Sequence, residues 1–273
     1  MTTTLRPTEP LSRTADGGRS RRYRICVDGR PVGSLHLVTS ASISQAARIA
    51  SLSVDAPERR RGRATVAALA AEEVTREWGC RVIEASVPAE AGAALRLAGA
   101  LGYTPRARRM RKRLGETPPP LPSGVEGRPM TAPEFGPWLD RAMERYTRAL
   151  TDQGMSPAEA SAKSALDHAA PREHGTQAEG MRFGVLESEG DRVATLWLGL
   201  RRDAAYVFDV RVEDGRRGRG HGRATMLLAE RLAVSAGRKA LELNVFAGNT
   251  PAERLYDSLG YEPVTIHLAK PLA

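Results

Sequence analysis

The chain has 273 residues, 41% of them hydrophobic, which is enough for one large or two ordinary domains and excludes wholesale disorder. Its formal net charge of +9 favours an anionic partner, but aromatic residues make up only 5% and none interleaves the basic clusters, which argues against nucleic acid. No apolar run approaches the roughly 18 residues of a membrane span and the opening MTTTLRPTEPLSRTADGG has no secretory apolar core, so a cytoplasmic protein with no membrane partner is expected.

In chain order, YRICVDGRPVGSLHLV (23–38) predicts two strands joined by a tight turn at Asp28-Gly29. VDAPERRRGRATVAALAAE (54–72) follows as a basic, glycine-containing loop that opens a helix. Taken alone, RARRMRKRL (106–114) resembles a nucleic-acid patch; in its repeat context it predicts a terminal strand with a solvated basic face. GETPPPLPSG (115–124) predicts an extended linker. Cys26 and Cys80 have no metal-type spacing and the five histidines are scattered, so reduced thiols and no metal site are expected.

Beyond the linker, Phe135, Trp138, Leu139, Met143, Tyr146 and Leu150 recur at near-helical spacing. Ser156, Pro157 and Glu159 form the start of a second helix, with Ser156 as its cap. MRFGVLESEGDRVATLWLGL (181–200) predicts a hairpin turning at Glu189-Gly190, and AAYVFDVRV (204–212) a third strand. The loop RRGRGHGRAT (216–225) leads into a helix expected over about 224–236, then the strand ALELNVF and a helix opening at Asn249 or Thr250 and ending at Gly260.

The two halves repeat each other. Arg59 lies over Arg217 and Gly62 over Gly220, one offset of 158 residues (217 less 59, 220 less 62) that also places LAGALGYTP on LYDSLGYEP and Met110 on Leu268 without a gap. Two domains follow: 1–117, the linker 118–124, and 125–273. The first copy has no room for the two early helices of the second, so one wall of a cleft is expected only in the second.

A strand, a tight basic glycine loop and a helix together suit a diphosphate: small residues let the backbone approach, and the first amides of the helix add positive potential. Neither common nucleotide fingerprint is present.

Arg217, Gly220 and Gly222 follow an R-x-x-G-x-G/A pattern, and Asn249, Ala252, Leu255, Tyr256, Gly260 and Tyr261 follow it in N-x-x-A-x-x-L-Y-x-x-x-G-F/Y. In these motifs the chain resembles the GNAT superfamily of acetyl-CoA-dependent N-acetyltransferases, well over 181–272 and more loosely back to Arg128. The resemblance implies an α/β (α+β) fold of two tandem domains, each a mixed, mostly antiparallel sheet flanked by helices. It further implies transfer of an acetyl group from acetyl-CoA, without a metal, by direct attack of an amine. Pantetheine would lie between two splaying strands, along Val210 and Val212 on one and Asn244 on the other. The diphosphate would sit at Arg217, Gly218, Arg219, Gly220, Gly222 and Arg223, with Asn249 as a further contact.

Tyr256 is then the expected acid for the departing thiolate, with a core tyrosine as the alternative. Asp209 and Glu213 are the expected bases, unless each pairs with an arginine. Asp209 alternates with Phe208 and so is expected on the opposite face; His221 is expected to point outward. Asn249 also reads as a plain helix cap, and Arg216, Arg219 and Arg223 as a solvated basic face. In the first copy Ala91 replaces Asn249 and Ala98 replaces Tyr256, which leaves it degenerate.

The acceptor is a small-molecule amine or a peptide amino terminus, with Trp138, Tyr146, Arg172, His174 and Trp197 as residues that would line its cleft. A monomer or homodimer is expected. Two alternatives stand beside this reading: a noncatalytic CoA-binding or protein-interaction module, and an enzyme resembling mycothiol synthase, also a tandem protein with a decayed copy.

Overall fold

The computed structural model describes residues 2–40 and 43–272. The elements in chain order are β1 (Thr3–Pro7), β2 (Ser12–Arg13), β3 (Arg19–Val27), β4 (Arg30–Ser40), β5 (Ile43–Val54), α1 (Arg63–Glu77), β6 (Val82–Pro88), α2 (Gly92–Ala100) and β7 (Thr104–Arg113). After an extended segment come β8 (Val125–Pro129), α3 (Ala132–Asp152), α4 (Pro157–Asp167), α5 (Ala169–His174), β9 (Met181–Ser188), β10 (Asp191–Leu200), β11 (Ala205–Val212), α6 (His221–Ser235), β12 (Ala240–Phe246), α7 (Thr250–Ser258) and β13 (Glu262–Pro271).

Both copies build a mixed, mostly antiparallel sheet flanked by helices. The hairpin turns fall where the sequence places them: Asp28 and Gly29 have φ of 48° and 86°, Glu189 and Gly190 of 54° and 84°, the paired positive φ values of a type I′ turn. Early helices α3, α4 and α5 belong to the second copy; in the first, β1 and β2 precede β3.

The packed units do not follow the linker. One comprises Met1–Ala107 with Thr265–Ala273, the other Arg108–Val264. In the first, the order is β1-β3-β4-β5-β6-β13, with β2 on β3, and in the second β7-β12-β11-β10-β9-β8. β13 runs antiparallel to β6, from Thr265 opposite Pro88 to Pro271 opposite Val82. Each copy's last strand is therefore a member of the other copy's sheet.

The exchange explains the basic run, which is less solvated than the sequence suggests. Glu230 and Glu242 are buried carboxylates of the second unit, and such groups need counter-charges. Lys112 donates to both oxygens of Glu230 at 2.8 and 2.9 Å, while Arg109 and Arg111 meet Glu242 at 3.1 and 3.2 Å. The first unit has the mirror pair: Lys270 donates to the buried Glu72 at 2.6 Å.

In the second unit the sheet packs α6 over Leu186, Leu196, Leu198, Leu241 and Leu243, and α3 over Phe183, Val185 and Trp197. α3 is locked at its start by Glu134, which accepts from the Thr131 amide at 2.9 Å and hydroxyl at 2.8 Å. Arg128 grips the same carboxylate and holds it down to about 2. α4 begins as expected, with Ser156 Oγ accepting from the Glu159 amide at 3.3 Å. No helix among the described residues is long and apolar enough to cross a membrane.

Candidate active site

The site is built where β11 meets α6. β11 and β12 run parallel and pair at Ala205–Leu241, Tyr206–Glu242 and Val207–Leu243, where the ladder stops. Val210 and Val212 continue on β11 opposite Leu196 and Ala194 of β10, while Asn244, exposed, is the first β12 residue past the last pair. The strands thus leave a wedge beyond Val207 and Leu243.

A bulge lies at the same place. Trp197 stands opposite Asp209 and Leu198 opposite Val207, so Phe208 is the extra residue. This overturns simple alternation. Phe208 stacks on Trp197, with centroids 4.5 Å apart; Trp197 meets Trp138 of α3 edge-on; and Asp209 accepts from Arg145 of α3 at 3.2 Å. Phe208 and Asp209 consequently share the face that α3 covers, not opposite faces.

Burial raises the Asp209 carboxyl above its ordinary value, against the pull of Arg145. Tyr256, in the last turns of α7, is pushed up to about 12 by burial and then by the charge of Asp209. Glu213 follows β11 and pairs with Arg192 at 3.2 Å, so both carboxylates, Asp209 with Arg145 and Glu213 with Arg192, meet the arginine-paired alternative that the sequence left open.

In the glycine loop Gly218 and Gly220 have φ of 76° and 81°, and a Cβ at either would meet open space. Their requirement is conformational. Gly222 differs, because an added Cβ would lie 3.2 Å from Leu255 Cδ2, so it permits close packing of α6 on α7. The helix starts at His221, directly after Gly220, three residues earlier than the sequence suggests. His221, Gly222 and Arg223 therefore form its first turn, and His221 is buried at 9% exposure rather than outward.

The loop arginines differ in their attachments. Arg216 pairs with Asp191 and Arg217 with Asp214, and Arg223 donates to Ser258 Oγ at 2.6 Å. Arg219 is exposed and has no ion pair or hydrogen bond among the described residues. Asn249 caps α7, its Oδ1 accepting from the Ala252 amide at 3.3 Å.

Of the residues expected to line an acceptor cleft, Trp138 and Trp197 are buried core, and Arg172 and His174 are exposed in the last turn of α5. Tyr146 donates to Asp167 at 2.7 Å. Sequence reasoning missed Arg145 and His168. His168 is buried, its ring 5.1 Å from Trp197 and 5.6 Å from Tyr146. A lone basic residue on an amphipathic helix carries no signal that singles it out.

The first unit repeats the frame with other residues at the corresponding positions. Ala47 pairs with Ile83 and the β5–β6 ladder ends at Ile49–Ala85; Ala50 is the bulged residue between the pairs His36–Ser51 and Leu37–Ile49. Its loop keeps positive φ at Arg60 and Gly62. The positions of Asp209 and Tyr256 hold Ser51 and Ala98. Glu58, buried, gathers Arg30, Arg61 and Arg63.

A family model described as the acetyltransferase (GNAT) family matches residues 3–103 and 140–261. A curated relative, an uncharacterized N-acetyltransferase, YycN, of Bacillus subtilis, is 24% identical over 151 residues, 53% of this chain and 96% of its own. Among solved structures, a GCN5-related N-acetyltransferase from Sphaerobacter thermophilus aligns over 92% of this chain and 80% of its own at 19% identity, with a TM-score of 0.61. A tandem GNAT protein from the clavulanic acid biosynthesis pathway aligns over 96% of this chain and 85% of its own, at 17% identity and a TM-score of 0.52. With both halves matched and both folded alike, the chain belongs to the GNAT acetyltransferase family and carries that family's domain twice.

Proposed function

We propose that the protein is an acetyl-CoA-dependent N-acetyltransferase whose active site lies in the second unit, with the first unit as a structural half. The observation that carries this reading is the wedge where β11 and β12 part beyond Val207 and Leu243, directly beside the bulge that holds Asp209.

The residues present fit acetyl-CoA. The open glycine loop and the first amides of α6 suit its diphosphate, and Arg219 is a cation without an ion-pair partner among the described residues. Val210, Val212 and Asn244 flank the wedge that would take the pantetheine arm. Bound there, acetyl-CoA supplies an acetyl thioester, whose sulfur departs as a thiol.

Asp209 takes the proton of the primary amine, and its raised value makes it a better match to that task than an ordinary carboxylate. Arg145 keeps it oriented. Tyr256 holds a proton at its hydroxyl oxygen and gives it to the sulfur, and its raised value keeps that proton in place at neutral pH. Glu213, paired with Arg192 just past the end of β11, is the second candidate for the base. In the first unit Glu58 supplies the loop arginines with an internal counter-ion, and neither an acid nor a base stands at the positions of Tyr256 and Asp209.

Calorimetric titration of the full chain with acetyl-CoA tests this reading. One site per chain, lost in Gly220→Val, is expected; no binding would overturn it, and two sites would overturn the structural role of the first half.

A further inference from the structure

We infer that the acceptor is a primary amine carried on an aromatic ring, held by stacking on Phe208, and that Arg201 disfavours polycationic acceptors. This rests on the acetyltransferase reading above and names the substrate class of that same site.

Three observations carry it. First, the bulge turns Phe208 to the face of Asp209, so the ring adjoins the base along the strand. Phe208 is 43% exposed, although its neighbours Trp197, Trp138 and Phe183 are only 3, 3 and 6% exposed. One side rests on Trp197 at an interplanar angle of 23°, and the edge of Tyr206 supports it at 4.9 Å. The ring thus presents apolar surface to whatever approaches Asp209.

Second, the ring is seated in advance. An added Cβ at Gly199 would fall 2.5 Å from Phe208 Cε2, so Phe208 lies directly against the backbone of β10. A surface fixed by its neighbours loses little side-chain freedom when a ligand stacks on it.

Third, a guanidinium faces the ring, and the nearby carboxylates are already engaged. The guanidinium of Arg201 lies 4.2 Å from the Tyr206 ring centroid and 5.9 Å from that of Phe208, and it has no ion pair among the described residues. Asp209 is already paired with Arg145. A polyamine or amino sugar with several ammonium groups would meet the Arg201 and Arg145 guanidiniums, while Asp209 is held by Arg145 and Asp167 by Lys163 and Tyr146; a neutral ring with a single amine satisfies the site.

The test uses the full chain, saturating acetyl-CoA and three amines: phenethylamine, hexylamine and spermidine. Phenethylamine is expected to have the highest kcat/KM, by about tenfold, the scale of one aromatic contact. Phe208→Leu, which keeps apolar bulk but not the ring, should erase that preference, and Phe208→Tyr should retain it. Gly199→Ala, which displaces the ring without removing it, should lower the preference as well. Spermidine as the best acceptor, or a preference unchanged in Phe208→Leu, would overturn the proposal.

If acetyl-CoA binds but no amine in the set is acetylated, tryptophan fluorescence decides, because Trp197 lies under Phe208. A saturable response to phenethylamine, lost in Phe208→Leu, supports the aromatic site; no response overturns it. Failure of acetyl-CoA to bind at all would instead sink the underlying enzymatic reading.

Discussion

Arg145 donates to Asp209 at 3.2 Å, joining a helix that only the second copy possesses to a strand that both copies share. In the first copy Ser51 stands at the position of Asp209, and β1 and β2 take the place in the chain of the early helices. The difference between the halves is thus the loss of a wall together with the carboxylate that the wall would have held.

Replacing Asp209 or its partner should show in the pH profile. A base must be ionised to act, so turnover is expected to fall as pH drops through the raised Asp209 value. Removing the nearby positive charge in Arg145→Ala favours the neutral acid, so the acidic limb should move to higher pH; movement to lower pH would contradict the assignment. Asp209→Asn should abolish the limb and most of the activity.

For Tyr256→Phe, kcat is expected to fall by about 10²–10⁴-fold, the usual contribution of a positioned acid. Acetyl-CoA affinity by calorimetry should change little, since the hydroxyl is assigned to proton transfer. Full turnover in this variant would return Tyr256 to the core-tyrosine reading.

The two glycine loops should respond differently. Gly220 and Gly62 both cap a helix at positive φ, 81° and 74°, so valine strains either loop. Gly220→Val is expected to eliminate acetyl-CoA binding, while Gly62→Val should lower only stability, read as a drop in Tm with the binding stoichiometry retained.

Lys112 and Lys270 stand at equivalent positions and meet equivalent glutamates, Glu230 and Glu72. Each lies 5.7 to 5.9 Å from the ring of the equivalent tyrosine, Tyr261 or Tyr103. Lys112→Met or Lys270→Met leaves a buried carboxylate without its cation and should cost about 1–3 kcal/mol in chemical denaturation. A neutral effect at both sites would argue against the exchange of terminal strands.

Cutting the chain inside 115–124 should give two fragments that do not fold separately. Residues 125–273 would retain β13 without its partner β6 and would lack β7, leaving open sheet edges. Circular dichroism of each fragment alone, compared with the co-expressed pair, checks this: cooperative melting is expected only for the pair.

Local sequence determined much of the design. The repeat offset, the two type I′ hairpins, the Ser156 and Asn249 caps and the glycine loop all follow from short-range preferences, because turns and helix ends are decided by a few adjacent residues. Tyr256 was legible because a motif of fixed spacing points to it, and Asp209 and Glu213 as candidate bases only from their place on or just after the central strand. What the sequence could not show depends on partners distant in the chain. The face on which Phe208 lies was decided by a bulge that no glycine or proline announces; pairing with β10 created it. Arg145 became Asp209's partner only when α3 packed over Trp197. The placement of β7 and β13 was decided by burial of Glu230 and Glu72, whose counter-charges lie more than a hundred residues away in sequence. Alternation and capping are properties of a segment, whereas a shared face and a paired buried charge exist only once the sheet has formed.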